Sequence, residues 1–349
     1  MQIPRRCLLR LAALLLLAPV AGAQVPLPIL TREDAMGVNI HTTQPGPGEL
    51  EMMRAAGFHW VRMDLTWAAT EKQAGHYDFS SYDGLVAALD AHKMRALFVL
   101  DYGNPLYADP GDKQPFTSRA GTDAFRHAFA AWAAAAVSHF AGHGCLWEIW
   151  NEPNYKLFWA PAPDAAQYTA LASAADAAIR KAAPAEPIIG PACSTMDFDF
   201  IERCCQAGLL ADWAAISVHP YRRTDPSTAT EDFQQLRALL AEYAPPGREI
   251  PIICSEWGYS AGWKDYDETR QAAALRAEFA TTLAAGIPLT IWYDWRDVGG
   301  KPDDPETHFG LVHREFHLGR TPVYDPKPAY TAAQGVGAQL TAAPVPGGQ

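Results

Sequence analysis

Two stretches of this chain set a carboxylate among amides and aromatic rings just where an apolar run ends. One is Trp147-Glu148-Ile149-Trp150-Asn151-Glu152-Pro153-Asn154, and the other is Ile252-Ile253-Cys254-Ser255-Glu256-Trp257-Gly258-Tyr259. Glu152 and Glu256 would each stand at the mouth of a buried strand. Carboxylates projecting into a bowl lined by Trp and Tyr are what glycosidic cleavage requires, since one protonates the leaving oxygen while the other faces the anomeric carbon. A single glutamate at such a place is equally well explained by a salt bridge, but two with these flanks point to a site. Glu148 falls inside its run and is read as the partner of a structural ion pair.

The elements that must hold these residues follow a simple rhythm. Short β-rich runs at 35–40, 59–63, 95–100, 145–150, 187–190, 214–218, 250–255 and 288–293 alternate with alanine-rich stretches at 48–56, 82–92, 122–139, 164–183, 232–243 and 269–285, and a last one follows Pro328. Eight strand and helix pairs in one chain of this size predict an α/β fold, a single-domain (β/α)8 TIM barrel, with its active site at the C-terminal ends of the strands. An open doubly wound sheet would normally carry a Gly-rich phosphate loop after its first strand. His41-Thr42-Thr43-Gln44-Pro45-Gly46 is not such a loop. Asp164 is placed to cap the stretch carrying Tyr168, Leu171 and Ala175, and Pro184 to stop it.

The motif at Trp147 to Asn154 resembles the acid/base motif of clan A glycoside hydrolases, family 39 above all, and the continuation to Phe158-Trp159 is similar to that family too. Ser255-Glu256-Trp257-Gly258 resembles the nucleophile strand of the clan, and Ser217-Val218-His219-Pro220-Tyr221 its sixth-strand segment. Val61-Arg62-Met63-Asp64 with Trp67, and Trp292, extend the likeness over most of the barrel. The resemblance implies a retaining double displacement in which Glu256 attacks the anomeric carbon and Glu152 first donates and then withdraws a proton. Physics supports the same division: burial or the charge of Glu256 would keep Glu152 protonated, while Arg62, His219 or Tyr221 would keep Glu256 ionised. Retention predicts carboxyl groups ~5–5.5 Å apart and inversion ~6.5–9.5 Å.

Asn151 could hydrogen-bond the sugar 2-hydroxyl. Trp292 and Trp159 offer faces on which a pyranose could stack, and loop residues Tyr107, Trp263, Tyr266 and His308 suggest a groove with several sugar subsites. The histidines form no HxH or HExxH pattern, so neither a metal nor a cofactor is expected.

Residues 1–23 join Arg5, Arg6 and Arg10 to a leucine run and Ala21-Gly22-Ala23, the pattern of a secretory signal cleaved near Ala23-Gln24. The apolar run is too short for a membrane span. This divides the chain into a signal (1–23), a catalytic barrel (24–341) and a tail (342–349), with a secreted or periplasmic location. Loss of three arginines and no acid takes the formal net charge from −11 to −14, which disfavours nucleic acid and anionic membranes as partners. A monomer acting on a polysaccharide or oligosaccharide is expected. Of the cysteines Cys145, Cys193, Cys204, Cys205 and Cys254, pairing of Cys193 with Cys204 or Cys205 is the one disulfide suggested.

Family 39 xylosidases carry an accessory β-sandwich beside the barrel, and with so few residues after the last helix none is expected here. It looks more like the secreted single-barrel endoglycosidases linked to bacterial exopolysaccharides, which are also related to family 39, so the expected activity is endo-cleavage of a β-glycan. The alternatives are a family 5-like glucanase or mannanase, an exo-acting β-xylosidase type, a transglycosylase sharing the same intermediate, and a carbohydrate-binding barrel without catalysis.

Overall fold

A computed structural model of the protein describes residues 25–28, 31–108, 122–299 and 303–342. The expected signal at 1–23 and the tail from 343 lie outside the described residues. Eight parallel strands close into a barrel in sequence order: β1 (Met36–Asn39), β2 (Trp60–Thr66), β3 (Arg95–Asp101), β4 (Leu146–Ile149), β5 (Ile188–Ser194), β6 (Ala215–His219), β7 (Ile252–Trp257) and β8 (Thr290–Trp292). The expected (β/α)8 barrel is the observed one, and closure of β8 onto β1 excludes the open sheet.

A helix follows every strand, and the side chains of Thr122, Asp164, Asp197 and Asp267 cap four of them. In Ala165–Ala182 the Asp164 carboxylate accepts the amides of Ala166 and Gln167, while Tyr168, Leu171, Ala172, Ala175 and Ile179 form the buried stripe. The helix Phe198–Gln206, between β5 and β6, is absent from the sequence reading. It is only nine residues long and its polar face is nearly as large as its apolar one, so its hydrophobic run is short. Two small hairpins are also additions, Glu71–Gln73 with His76–Tyr77 after β2, and Val312–Phe316 with Tyr324–Pro326 after β8.

Side chains alternate between the two faces of each strand, so every second residue points into the barrel. The lower interior is apolar: Trp60, Leu97, Val99, Leu146, Ile189, Ala215, Ile253, Leu289 and Ile291 pack together, and Leu27 packs against them. Gly37 makes room there, because a Cβ on it would lie 2.2 Å from Ile291 Cδ1 and 2.9 Å from Trp60 Cβ. Two residues further along the same strands the interior turns polar, with Asn39, Arg62, Asp101 and Glu148 all buried.

The five described cysteines are buried free thiols, so the suggested pairing of Cys193 with Cys204 or Cys205 is not formed. They behave as small apolar residues of the core. Burial raises the pKa of all five, that of Cys145 and of Cys205 to about 12.

Candidate active site

Arg62 organises the polar end of the barrel. It is fully buried, and its Nε donates to Glu148 at 2.9 Å, one terminal nitrogen to Glu256 at 2.6 Å and Asn39 at 3.3 Å, and the other to Asn151 at 2.7 Å. Burial works against its charge, but Glu148, Glu256 and Asp64 outweigh that cost and hold the guanidinium protonated more firmly than usual. Glu148 thus makes the ion pair read for it.

Glu256 reaches this position through an irregularity in β7. Between the register points Cys254↔Thr290 and Trp257↔Trp292, β7 holds one residue more than β8. Strict alternation from the inward Ile253 would turn Glu256 outward, and the extra residue re-aims it into the barrel. Its carboxylate accepts from Arg62 and from the Tyr221 hydroxyl at 2.8 Å. Burial pushes the Glu256 carboxyl up, but His219, Arg62 and Tyr221 together overcome it and set the pKa below the ordinary value. Glu256 is therefore a carboxylate near neutrality.

Glu152 stands beyond the end of β4 on a strained backbone. Trp150 has φ 67° and Glu152 φ 44°, left-handed conformations that cost non-glycine residues roughly 1–3 kcal/mol each. The surroundings hold them: Trp150 N donates to Leu100 O, Trp150 Nε1 to Phe158 O, and Glu152 N to Ala192 O. Asn154 then ties the turn to β5, donating to Ser194 O at 2.9 Å and accepting from Ser194 N at 2.8 Å. Glu152 Oε1 shares a 2.9 Å hydrogen bond with Nδ1 of the fully buried His219. One carboxyl oxygen of Glu152 and one of Glu256 lie within 4.8 Å of each other, with a ring nitrogen of His219 inside the same limit. These three could crowd a cation, but Arg62, Tyr221 and the Glu152–His219 bond already engage them.

Both glutamates open on a cavity of about 740 Å³. Six of the eight residues singled out from sequence, Arg62, Asn151, Glu152, His219, Tyr221 and Glu256, converge here. Trp292 and Trp159 do not. Trp292 is wholly buried on the outer face of β8, stacked towards Tyr259, and it is the next residue, Tyr293, that lines the cavity. Trp159 is sealed between Trp150 and Tyr168. Of the loop aromatics, Trp263 lines the cavity, whereas Tyr107 stacks on Trp67 and Tyr266 on Tyr259.

The cavity wall also contains residues to which the sequence reading gave no role, including His41, Tyr102 and Glu306, and Asp64 and Phe158, which it quoted only within the family likeness. Stepping two residues along a strand would have found two of them, since His41 follows Asn39 and Asp64 follows Arg62 on one face. His41 Nε2 lies 3.1 Å from Asp294. Burial, only partly opposed by His41, raises Asp294 to about 6; burial lowers His41, but Asp294 more than reverses it.

Residues 48–244 match the model of glycosyl hydrolases family 39. The chain belongs to that family. It shares 26% identity over 213 residues with a β-xylosidase of Geobacillus stearothermophilus, an alignment covering 53% of this chain and 41% of that protein. The chain therefore spans under half the length of this curated relative. Its fold is similar to a family 39 glycoside hydrolase of Bacteroides cellulosilyticus WH2, with a TM-score of 0.75 and 24% identity over 89% of this chain and 65% of the other. A monomeric β-xylosidase of Caulobacter crescentus CB15 superimposes with a TM-score of 0.68 and 19% identity over 87% of this chain and 68% of the other. No helix among the described residues is long and apolar enough to cross a membrane.

Proposed function

We propose that this family 39 member is a retaining glycosidase in which Glu256 is the nucleophile and Glu152 the acid/base. The observation that carries this reading is the pair of carboxyl oxygens within 4.8 Å of one another. That separation fits a nucleophile and an acid on opposite sides of one glycosidic bond, and is short of the ~6.5–9.5 Å that inversion needs to seat a water. In the first step a Glu256 oxygen bonds to the anomeric carbon as the bond to the leaving oxygen breaks, and Glu152 gives that oxygen its proton. In the second, Glu152 takes a proton from water, whose oxygen displaces Glu256. Asn151, held by Arg62, is within the same pocket for the 2-hydroxyl. A sugar acceptor in place of water would give transglycosylation by the same route.

The substrate we assign is a β-linked polysaccharide cut internally, such as a bacterial exopolysaccharide, by a protein that residues 1–23 direct to export. Support comes from Tyr155 and Leu157, which line the cavity beside Glu152 yet are 50% and 64% exposed. They extend an apolar wall where the leaving part of a chain would lie. A second reading, exo-cleavage, is favoured by the β-xylosidase relative. The two part on products: mass spectrometry of digests of mannans, glucans, xylans and exopolysaccharides shows oligosaccharides for the first and monosaccharides alone for the second. Glu152→Ala tests the acid assignment. It should slow substrates with poor leaving groups by about 10²–10⁴-fold while sparing aryl glycosides with good ones in the first step, and equal losses on both would remove Glu152 from that role.

A further inference from the structure

Phe309 sits where three loops meet. Its ring packs edge-to-face on Tyr221 after β6 (centroids 6.3 Å apart), Trp263 after β7 (5.4 Å) and Tyr293 after β8 (5.3 Å), with interplanar angles of 83°, 87° and 75°. All four rings belong to the cavity wall. An edge-to-face pair fixes where the rim of one ring stands against the face of the other, so Phe309 sets the place of three neighbours at once. Tyr221 is the neighbour that bears on the chemistry, because its hydroxyl donates to the Glu256 carboxylate at 2.8 Å.

The backbone of Phe309 is itself held from behind the wall. Gln271 lies on the helix Glu268–Ala284, between β7 and β8, and is fully buried. Its amide nitrogen faces three carbonyl oxygens, those of Tyr259 at 2.8 Å, His308 at 3.1 Å and Phe309 at 3.1 Å. Reversing the amide would set its oxygen against all three, so the donor orientation is fixed. Trp292 Nε1 adds a bond to Phe309 O at 3.4 Å. His308 O also accepts from Ala261 N at 3.1 Å and from Nζ of the buried Lys327 at 3.3 Å. The turn that carries Phe309 is thus pinned on both sides of its peptide bond, chiefly by a side chain that stands outside the cavity wall.

Building on the glycosidase reading, we infer that Gln271 and Phe309 are positioning residues for the nucleophile: Gln271 fixes the backbone of Phe309, the Phe309 ring fixes that of Tyr221, and the Tyr221 hydroxyl aims Glu256 at the anomeric carbon. Arg62 holds Oε2 of Glu256 and Tyr221 holds Oε1, so the carboxylate is fixed at both oxygens and loss of either hold leaves it free to turn. The Phe309 ring also seats Trp263 and Tyr293, against which a sugar would pack. That part of its influence falls on binding, and the part through Tyr221 on bond formation.

The test uses 2,4-dinitrophenyl 2-deoxy-2-fluoro-β-xyloside and the matching β-glucoside, which trap the nucleophile and report the first step alone. The limiting rate of inactivation is a rate per reacting molecule, so an unfolded fraction does not lower it. Phe309→Leu should reduce that rate about 10- to 100-fold and Gln271→Met about 10-fold. In a Tyr221→Phe background both losses should shrink to about 2-fold or less, since the hydroxyl through which they act is gone. The weaker half-saturation caused by Phe309→Leu, which runs through Trp263 and Tyr293, should persist in both backgrounds. An unchanged limiting rate in both single variants, or losses that multiply in full in the Tyr221→Phe background, overturns the inference. A wild type that neither probe labels counts against the glycosidase reading instead. Amide hydrogen exchange then reads the hold of Gln271 without turnover: residues 305–311 should exchange about 10-fold faster in Gln271→Met, and no change there overturns that link.

Discussion

The floor and the mouth of this barrel are built by the same strands and, β7 apart, in the same phase, yet they obey different physics. At the floor, Trp60, Leu97, Leu146, Ile253 and Ile291 meet as carbon surfaces, whose attraction has no direction and tolerates exchange for residues of similar volume. At the mouth, one step of two residues along β2 exchanges Trp60 for Arg62, which contacts four side chains from β1, β4, the turn after β4, and β7 at 2.6–3.3 Å. There Arg62 and the four groups it holds are paired atom to atom, and removing one leaves another buried and unpaired. Stability and chemistry are thus separated by about one turn of the pleat. Changes at the floor should alter how much protein is folded, and changes at the mouth what the folded protein does.

The largest effect expected at the mouth is from Glu256→Ala. Loss of the nucleophile should reduce kcat on the order of 10⁵-fold or more with the melting temperature little changed, and added azide should restore turnover of aryl glycosides to a product of inverted configuration. Arg62→Met should cross the boundary between the two regions. It strands Glu148 without its cation and should cost about 3–5 kcal/mol in urea unfolding, besides abolishing activity; Arg62→Met with Glu148→Gln should recover part of the stability and none of the turnover. Ile253→Ala at the floor should cost about 2–5 kcal/mol while kcat and its pH profile stay as in wild type. A displaced profile would show that the floor does not merely support the mouth. The smallest effect is a shift in pH. Glu256 works as a carboxylate, so kcat/KM should rise with pH along an acid limb set by its depressed pKa. Tyr221→Phe deletes one of the influences that depress it, and the limb should move upward towards the ordinary glutamate value, measured on an aryl glycoside.

The barrel was legible in the sequence because each of its eight strands is a short apolar run between helices with clear ends, such as the Asp164 cap and Pro184 stop. Glu152 and Glu256 were legible because strand ends are where a barrel puts chemistry. What escaped depends on side-chain phase. Trp292 is the more imposing ring, but it lies one residue out of step with the interior, and Tyr293 occupies the wall. His41 and Asp64 were in phase and were not singled out, His41 because no motif marks it and Asp64 because it entered only as the end of the Val61–Asp64 likeness. Trp159 and the cysteines show the converse, residue types with a known chemistry used here for packing alone. The extra residue of β7 has no sequence signature, since Ser255-Glu256 looks like any strand end.

That extra residue has an implication for how the protein could change. Pairing β7 with β8 residue for residue at its present length would give a more regular and intrinsically better bonded strand. The same straightening would turn the carboxylate of Glu256 to the outer face, out of reach of Arg62 and Tyr221. A barrel repaired in this way would gain order and lose its nucleophile, so selection for robustness alone would tend to erase the feature, and its presence marks β7 as a strand held imperfect by its chemical task.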